Sequence, residues 1–137
     1  MALYAKYVLP RLIDLAMRNK DMVRLRADWV SHARGEVLEI GIGSGLNLAF
    51  YSSKVQRVYG LEPSIELQRM AHKRMADGEL AVDFLTQSAE EPLQLSDSSI
   101  NTVVMTWTLC SIVDMPKITS SLAQWPTSES PIASRAG

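Results

Sequence analysis

Three observations predict an α/β fold built on a parallel sheet. Apolar runs of strand length alternate with helix-patterned segments from about residue 36 to residue 106, and the polar loops gather after the strands. Directly after the first of these strands, Glu39-Ile40-Gly41-Ile42-Gly43-Ser44-Gly45 sets glycines at alternate positions behind an embedded acid. A glycine-rich turn at the carboxyl end of a buried strand lets a ligand approach the backbone, so a nucleotide-like molecule is expected there.

The chain has 137 residues, the size of one small domain or of part of a larger one. Its hydrophobic content of 47% and charged content of 21% are those of a globular protein with a real core. A formal charge of −1 lacks the basic footprint of a nucleic-acid binder, which favours small or protein substrates over DNA or RNA, so no nucleic-acid partner is expected. The one cysteine, Cys110, excludes an intrachain disulfide and a cysteine-rich metal site, so no metal is expected; it also fits a reducing, cytoplasmic setting. Arg11 and Asp14 interrupt the first apolar stretch, so it reads neither as a signal peptide nor as a membrane span, and no membrane partner is expected.

In order along the chain, residues 4 to 19 show helical spacing through Val8, Leu12, Leu15 and Ala16, with Pro10 suited to the first turn. Asp21 is expected to cap a second helix that buries Met22, Leu25, Trp29 and Val30, turns Arg24, Arg26 and Asp28 outward, and ends at His32 and Gly35. Residues 36 to 41 form the first strand, and a helix from Leu46 to Ser52 should follow the glycine turn. Val55 to Leu61 is the second strand, ending at Glu62. Ser64 caps a helix reaching Asp77, with Leu67, Met70, Ala71 and Met75 inward and a solvated basic side at Arg69, Lys73 and Arg74. Leu80 to Thr86 is the third strand, and Ile100 to Thr106, apolar on both faces, has the pattern of an interior strand. From about Ile118 the composition turns to Ser, Thr, Pro and Ala, which suits a disordered tail.

Spacing narrows the ligand. The dinucleotide fingerprint requires a third glycine where this chain has Leu46, and Glu39 would repel a pyrophosphate. A ligand carrying a sulfonium or ammonium group has the opposite preference. Glu39-x-Gly41-x-Gly43-x-Gly45, Glu62 after the second strand, and Ser88-Ala89-Glu90 after the third together resemble the cofactor motifs of class I S-adenosylmethionine-dependent methyltransferases. The segment Thr106-Trp107-Thr108-Leu109-Cys110-Ser111 is similar to the one following strand four in the type 11 branch.

The resemblance implies a Rossmann-like fold, a methyltransferase activity, S-adenosylmethionine as cofactor and a small-molecule methyl acceptor. It implies that Gly41, Gly43 and Gly45 pass under the cofactor, that Glu39 helps place its amino-acid end, and that Glu62 accepts from its ribose hydroxyls. It further implies that Ser88, Ala89 and Glu90 lie at the adenine, that Ile42 and Pro63 pack near the adenosine, and that Thr106 and Trp107 line the place where methyl leaves sulfur. Tyr7 would close the site. No catalytic residue is nominated: the methyl group is already activated, and Cys110, Asp114 and His32 each have a plainer structural reading.

This divides the chain into an N-terminal helical cap (1–34), a cofactor-binding core (35–117) and an atypical tail (118–137). The family's sheet continues beyond strand four, so the sequence reads as a methyltransferase fold truncated after that strand and incomplete in its C-terminal half. Two consequences are expected. Strand four would lie on an open edge that a homodimer could cover, and the alternative to an active enzyme is a non-catalytic cofactor-binding or interaction module.

Overall fold

The computed structural model describes residues 2–76, 78–88, 90–93, 95 and 99–105. A π-helical turn, Tyr4–Val8, runs into α1 (Leu9–Ala16), and α2 (Lys20–Val30) follows after a short loop. Asn19, not Asp21, caps α2. Its backbone is extended (φ −65°, ψ 162°), and its side chain accepts from the Met22 N–H at 3.0 Å. Asp21 instead occupies the first turn, where its charge complements the helix dipole.

The helix stops at Val30, before His32, and Gly35 belongs to the next strand. The expected faces of α2 also need correction. Val30 is buried, but Leu25 and Trp29 stay 40% and 43% exposed, and Arg26 points inward instead of outward, at 4% exposure. Specific acceptors make that burial tolerable: Arg26 Nε donates to Asn47 Oδ1 at 3.0 Å, and Nη1 donates to the Met17 carbonyl at 2.7 Å.

The sheet contains β1 (Gly35–Ile40), β2 (Val55–Leu61), β3 (Ala81–Leu85) and β4 (Thr102–Met105). All pairings are parallel and the order is β3-β2-β1-β4. Strand positions follow the sequence pattern closely. Among the described residues β4 pairs on one side only, with β1, although its sequence has the apolar character of an interior strand. Residues alternate across the sheet: Leu38 and Ile40 join Leu61, Leu93 and Ile100 on one side, while Val37 joins Val58, Val55, Ile42 and Val104 on the other. By the same alternation Glu39 shares the face of Val37.

The connection from β2 to β3 is α3 (Ile65–Met75). Ser64 is its N-cap, accepting from the Leu67 N–H as the sequence predicts. The connection from β1 to β2 differs from expectation. The helix anticipated over residues 46–52 shrinks to a 3₁₀ turn, Leu48–Phe50, and Tyr51 is already extended (φ −66°, ψ 132°). A competing attraction explains this, because the Asn47 amide and the Tyr51 hydroxyl both turn to the buried Glu39 carboxylate.

Candidate functional site

Chain order reverses direction in the sheet between β1 and β4: β2 and β3 build outward on one side of β1, and β4 lies on the other. Open α/β sheets bind ligands outside the carboxyl ends of the strands at such a switch point. The glycine turn leaves β1 at that place. Gly41 and Ile42 donate their N–H groups to the Leu61 carbonyl at 2.9 and 3.0 Å, which anchors the turn to the end of β2.

Two glycines of the turn do different work. Gly45 (φ +81°) faces protein: a Cβ there would sit 2.8 Å from Leu48 Cδ1, 2.9 Å from Ala71 Cβ and 3.0 Å from Ala71 Cα. It lets the turn close onto α3. Gly43 (φ +58°) faces open space, where a Cβ would meet nothing nearer than the Gly41 carbonyl at 3.9 Å. That is room a ligand can use.

Glu62 borders this space. It follows β2, is 7% exposed, and accepts from the Gly43 N–H (Oε2, 3.1 Å) and the Ser64 N–H (Oε1, 2.9 Å). Burial pushes its carboxyl above the ordinary carboxylate range, and the two backbone donors partly offset this. Each oxygen keeps a further lone pair. Gln68 braces the same corner, donating to the Glu62 carbonyl at 2.6 Å and to Thr86 Oγ1 at 2.9 Å.

Glu39 is placed differently from Glu62. At 1% exposure it accepts from Asn47 Nδ2 at 2.6 Å and from the Tyr51 hydroxyl at 2.8 Å. Burial raises its pKa from 4.5 to about 7, against the two hydrogen bonds and the charge of Arg26. Tyr51 is pushed well above its ordinary value by burial and by the Glu39 charge. Through Asn47, which also accepts from Arg26, this carboxylate ties the turn to α2.

A second tie joins the turn to α1. Asp14, 4% exposed, accepts from the Ser44 hydroxyl and from Arg18, and pairs with Arg74 of α3 at 2.9 Å; Arg74 also donates to the Ser44 carbonyl. Burial alone would raise the Asp14 carboxyl, but the bonds from Ser44 and Arg18 and the charges of Arg74 and Arg18 outweigh it and hold it below 3.8. Arg74 therefore does not belong to a solvated basic side.

Of the residues singled out from sequence, Glu39, Gly41, Gly43, Gly45 and Glu62 converge at the ends of β1 and β2. Pro63 is exposed beside Glu62, whereas Ile42 is 4% exposed and packs against Gly60. Ser88 and Glu90 lie beyond β3, with Ser88 Oγ accepting from the Glu90 N–H at 3.3 Å. Tyr7 lines a cleft between α1 and α3. His32 is exposed. Ala89, Thr106, Trp107, Cys110, Asp114 and the 118–137 stretch lie outside the described residues.

Asp14, Arg26, Ser44, Asn47, Tyr51 and Arg74 also hold the turn, and the sequence pattern does not mark them as its partners. Asp14, an acid interrupting the first apolar stretch, is the sequence signal for one of them. Among the described residues no cluster of His, Cys, Asp or Glu could hold a metal ion, and no helix is long and apolar enough to cross a membrane.

Residues 37–127 match a family described as "Methyltransferase domain". The phosphatidylethanolamine N-methyltransferase of Cereibacter sphaeroides is 30% identical over 102 residues, covering 74% of this chain and 50% of that protein. The thiol S-methyltransferase TMT1B of Homo sapiens is 36% identical over 90 residues, covering 63% of this chain and 36% of its own. The chain thus spans half or less of the length of these curated relatives. Two solved structures share the fold. An S-adenosylmethionine-dependent methyltransferase from Clostridium acetobutylicum superposes with a TM-score of 0.62 at 12% identity, covering 90% of this chain and 49% of that one. A Methanococcus maripaludis protein assigned to the same class gives 0.69 at 13% identity, covering 84% and 56%.

Proposed function

The chain belongs to the methyltransferase domain family, and on that premise we propose that it binds S-adenosylmethionine at the glycine turn and transfers its methyl group to a small-molecule acceptor. The observation that carries this reading is the Glu62 carboxylate, fixed 3.1 Å from the Gly43 N–H at the border of open space above a glycine. The residues present fit the cofactor. Glu62 has lone pairs left for two adjacent hydroxyls, and Gly43 presents backbone without a side chain in the way.

When bound, the cofactor supplies a methyl group already activated by a sulfonium centre. The protein's task is then placement and exclusion of water, which needs no dedicated base. Glu62 fixes the ribose end. The turn passes beneath, held from below by Glu39 through Asn47 and from the side by Asp14 through Ser44. Because Glu39 is sealed from solvent, we assign it to holding the turn instead of to direct contact with the cofactor's amino-acid end.

Ser88, Ala89 and Glu90 serve the adenine in this reading, and Thr106 and Trp107 the methyl end. The relatives named for phosphatidylethanolamine and for thiols act on different acceptor atoms, nitrogen and sulfur, which supports a shared cofactor site with a variable acceptor side. Titration calorimetry with S-adenosylmethionine and, separately, with NADH tests the cofactor, followed by product detection over a panel of amines and thiols. Binding of the first alone, with methylated product, is expected. Heat with NADH and none with S-adenosylmethionine would reject the reading, and binding without any product would leave a cofactor-binding module.

A further inference from the structure

A cleft of about 410 Å³ lies between the N-terminal helices and α3, apart from the open space at Gly43. Its lining is unequal in charge. Arg11, Arg69 and Lys73 contribute cations, while the one acid, Glu66, is already engaged by Arg69 Nη1 at 2.6 Å. Among the described residues neither Arg11 nor Lys73 has an ion-pair partner. A further cation, Lys6, neighbours one lining residue, its Nζ 5.1 Å from the centre of the Tyr7 ring. The remaining lining is Tyr7, Pro10 and Met70, which are apolar or aromatic, and His72, whose ring lies 4.3 Å from that of Phe84.

The cleft is a built feature, because its two sides are clamped. Pro10 and Arg11 lie one helical turn before Asp14, and Met70 lies one turn before Arg74, so the Asp14–Arg74 pair, with its bonds to Ser44, ties together the two helices that line the cleft. Arg11 lines the cleft from α1 and Lys73 from α3, and like charges gathered in one cleft repel unless an anion is held with them.

We propose that this cleft is a binding site for a small organic anion, a phosphate or carboxylate carried on an apolar or aromatic body. Arg11 and Lys73 hold the charged group from opposite walls, and Tyr7, Pro10 and Met70 take the body. The site does not depend on methyl transfer. The anionic group could be supplied by a free metabolite or by a lipid headgroup, and one experiment separates the two.

Calorimetry with phenyl phosphate on the full chain, compared with phenol and with inorganic phosphate, tests the chemistry. Phenyl phosphate should bind more tightly than either, less tightly as salt rises, and about tenfold or more weakly to Arg11→Gln/Lys73→Gln. That variant alters two exposed side chains, and its unchanged thermal midpoint would certify the fold. Equal binding of phenol, no binding of phenyl phosphate, or full affinity in the double variant would overturn the proposal. Co-sedimentation with phosphatidylcholine vesicles containing phosphatidylglycerol, displaced by phenyl phosphate and lost in the variant, would assign a lipid headgroup; phenyl phosphate binding without vesicle binding would assign a free anion. S-adenosylhomocysteine titrated in parallel keeps the two readings apart, since its binding reports only on the glycine turn.

Discussion

Replacing each of two glycines in the turn by alanine should separate stability from ligand binding. Gly45→Ala holds a side chain at φ +81° and drives its Cβ to 2.8 Å from Leu48 Cδ1 and 3.0 Å from Ala71 Cα. The left-handed conformation costs about 1–2 kcal/mol, and overpacking against backbone costs roughly 1–3 kcal/mol more. Gly45→Ala should therefore destabilise by about 2–5 kcal/mol. Gly43→Ala meets open space, so only the conformational part, about 1–2 kcal/mol, applies to folding. Its new methyl group instead enters the open space proposed for the cofactor, and affinity for S-adenosylmethionine should fall roughly tenfold or more. Urea denaturation followed by circular dichroism gives the first quantity, and calorimetry the second. A Gly43→Ala protein as unstable as Gly45→Ala, or one that keeps full cofactor affinity, would refute the division of roles.

Asp14→Asn should destabilise by about 2–3 kcal/mol, toward the low end for a broken buried pair because Arg18 and Arg74 retain some solvent; hydrogen exchange should rise in residues 9–16 and in the turn, and unchanged exchange would count against the α1 clamp. The Asp14 carboxyl is held below its ordinary value, so its stabilisation is present above pH 3.8 and is lost as pH falls through the lowered value; acid titration of the same amides reads this out. Glu39 has the opposite sign. Its folded pKa is raised from 4.5 to about 7, so stability falls as pH rises across that window, by roughly 3 kcal/mol. Glu39→Gln keeps an acceptor for Asn47 and should flatten that pH dependence; a slope identical to the parent protein's would show that another group titrates.

Features set by local chemistry were legible from sequence. The β2 boundaries, the Ser64 cap and the glycine–acid pattern of the turn each depend on a few adjacent residues, and each stands where the pattern put it. What escaped depends on partners far apart in sequence. Arg26 reads as a surface charge by periodicity, and its burial rests on acceptors such as Asn47, 21 residues away, which the helix pattern does not reveal. Asp14 and Arg74 are 60 residues apart, so neither reveals the other. The helix expected after Gly45 failed for a related reason: Asn47 and Tyr51 both bond Glu39, a residue of the preceding strand. The pattern identifies Glu39 as special but does not reveal that Asn47 and Tyr51 donate to its two carboxylate oxygens.

The affinity of S-adenosylmethionine for the parent chain and for Glu62→Ala, measured side by side by calorimetry, decides whether the cofactor is held at the end of β2. Removing a carboxylate that accepts hydrogen bonds should cost on the order of 1.5–3 kcal/mol, a weakening of roughly tenfold or more. Equal affinity in the two proteins would show that the cofactor is not held at the end of β2.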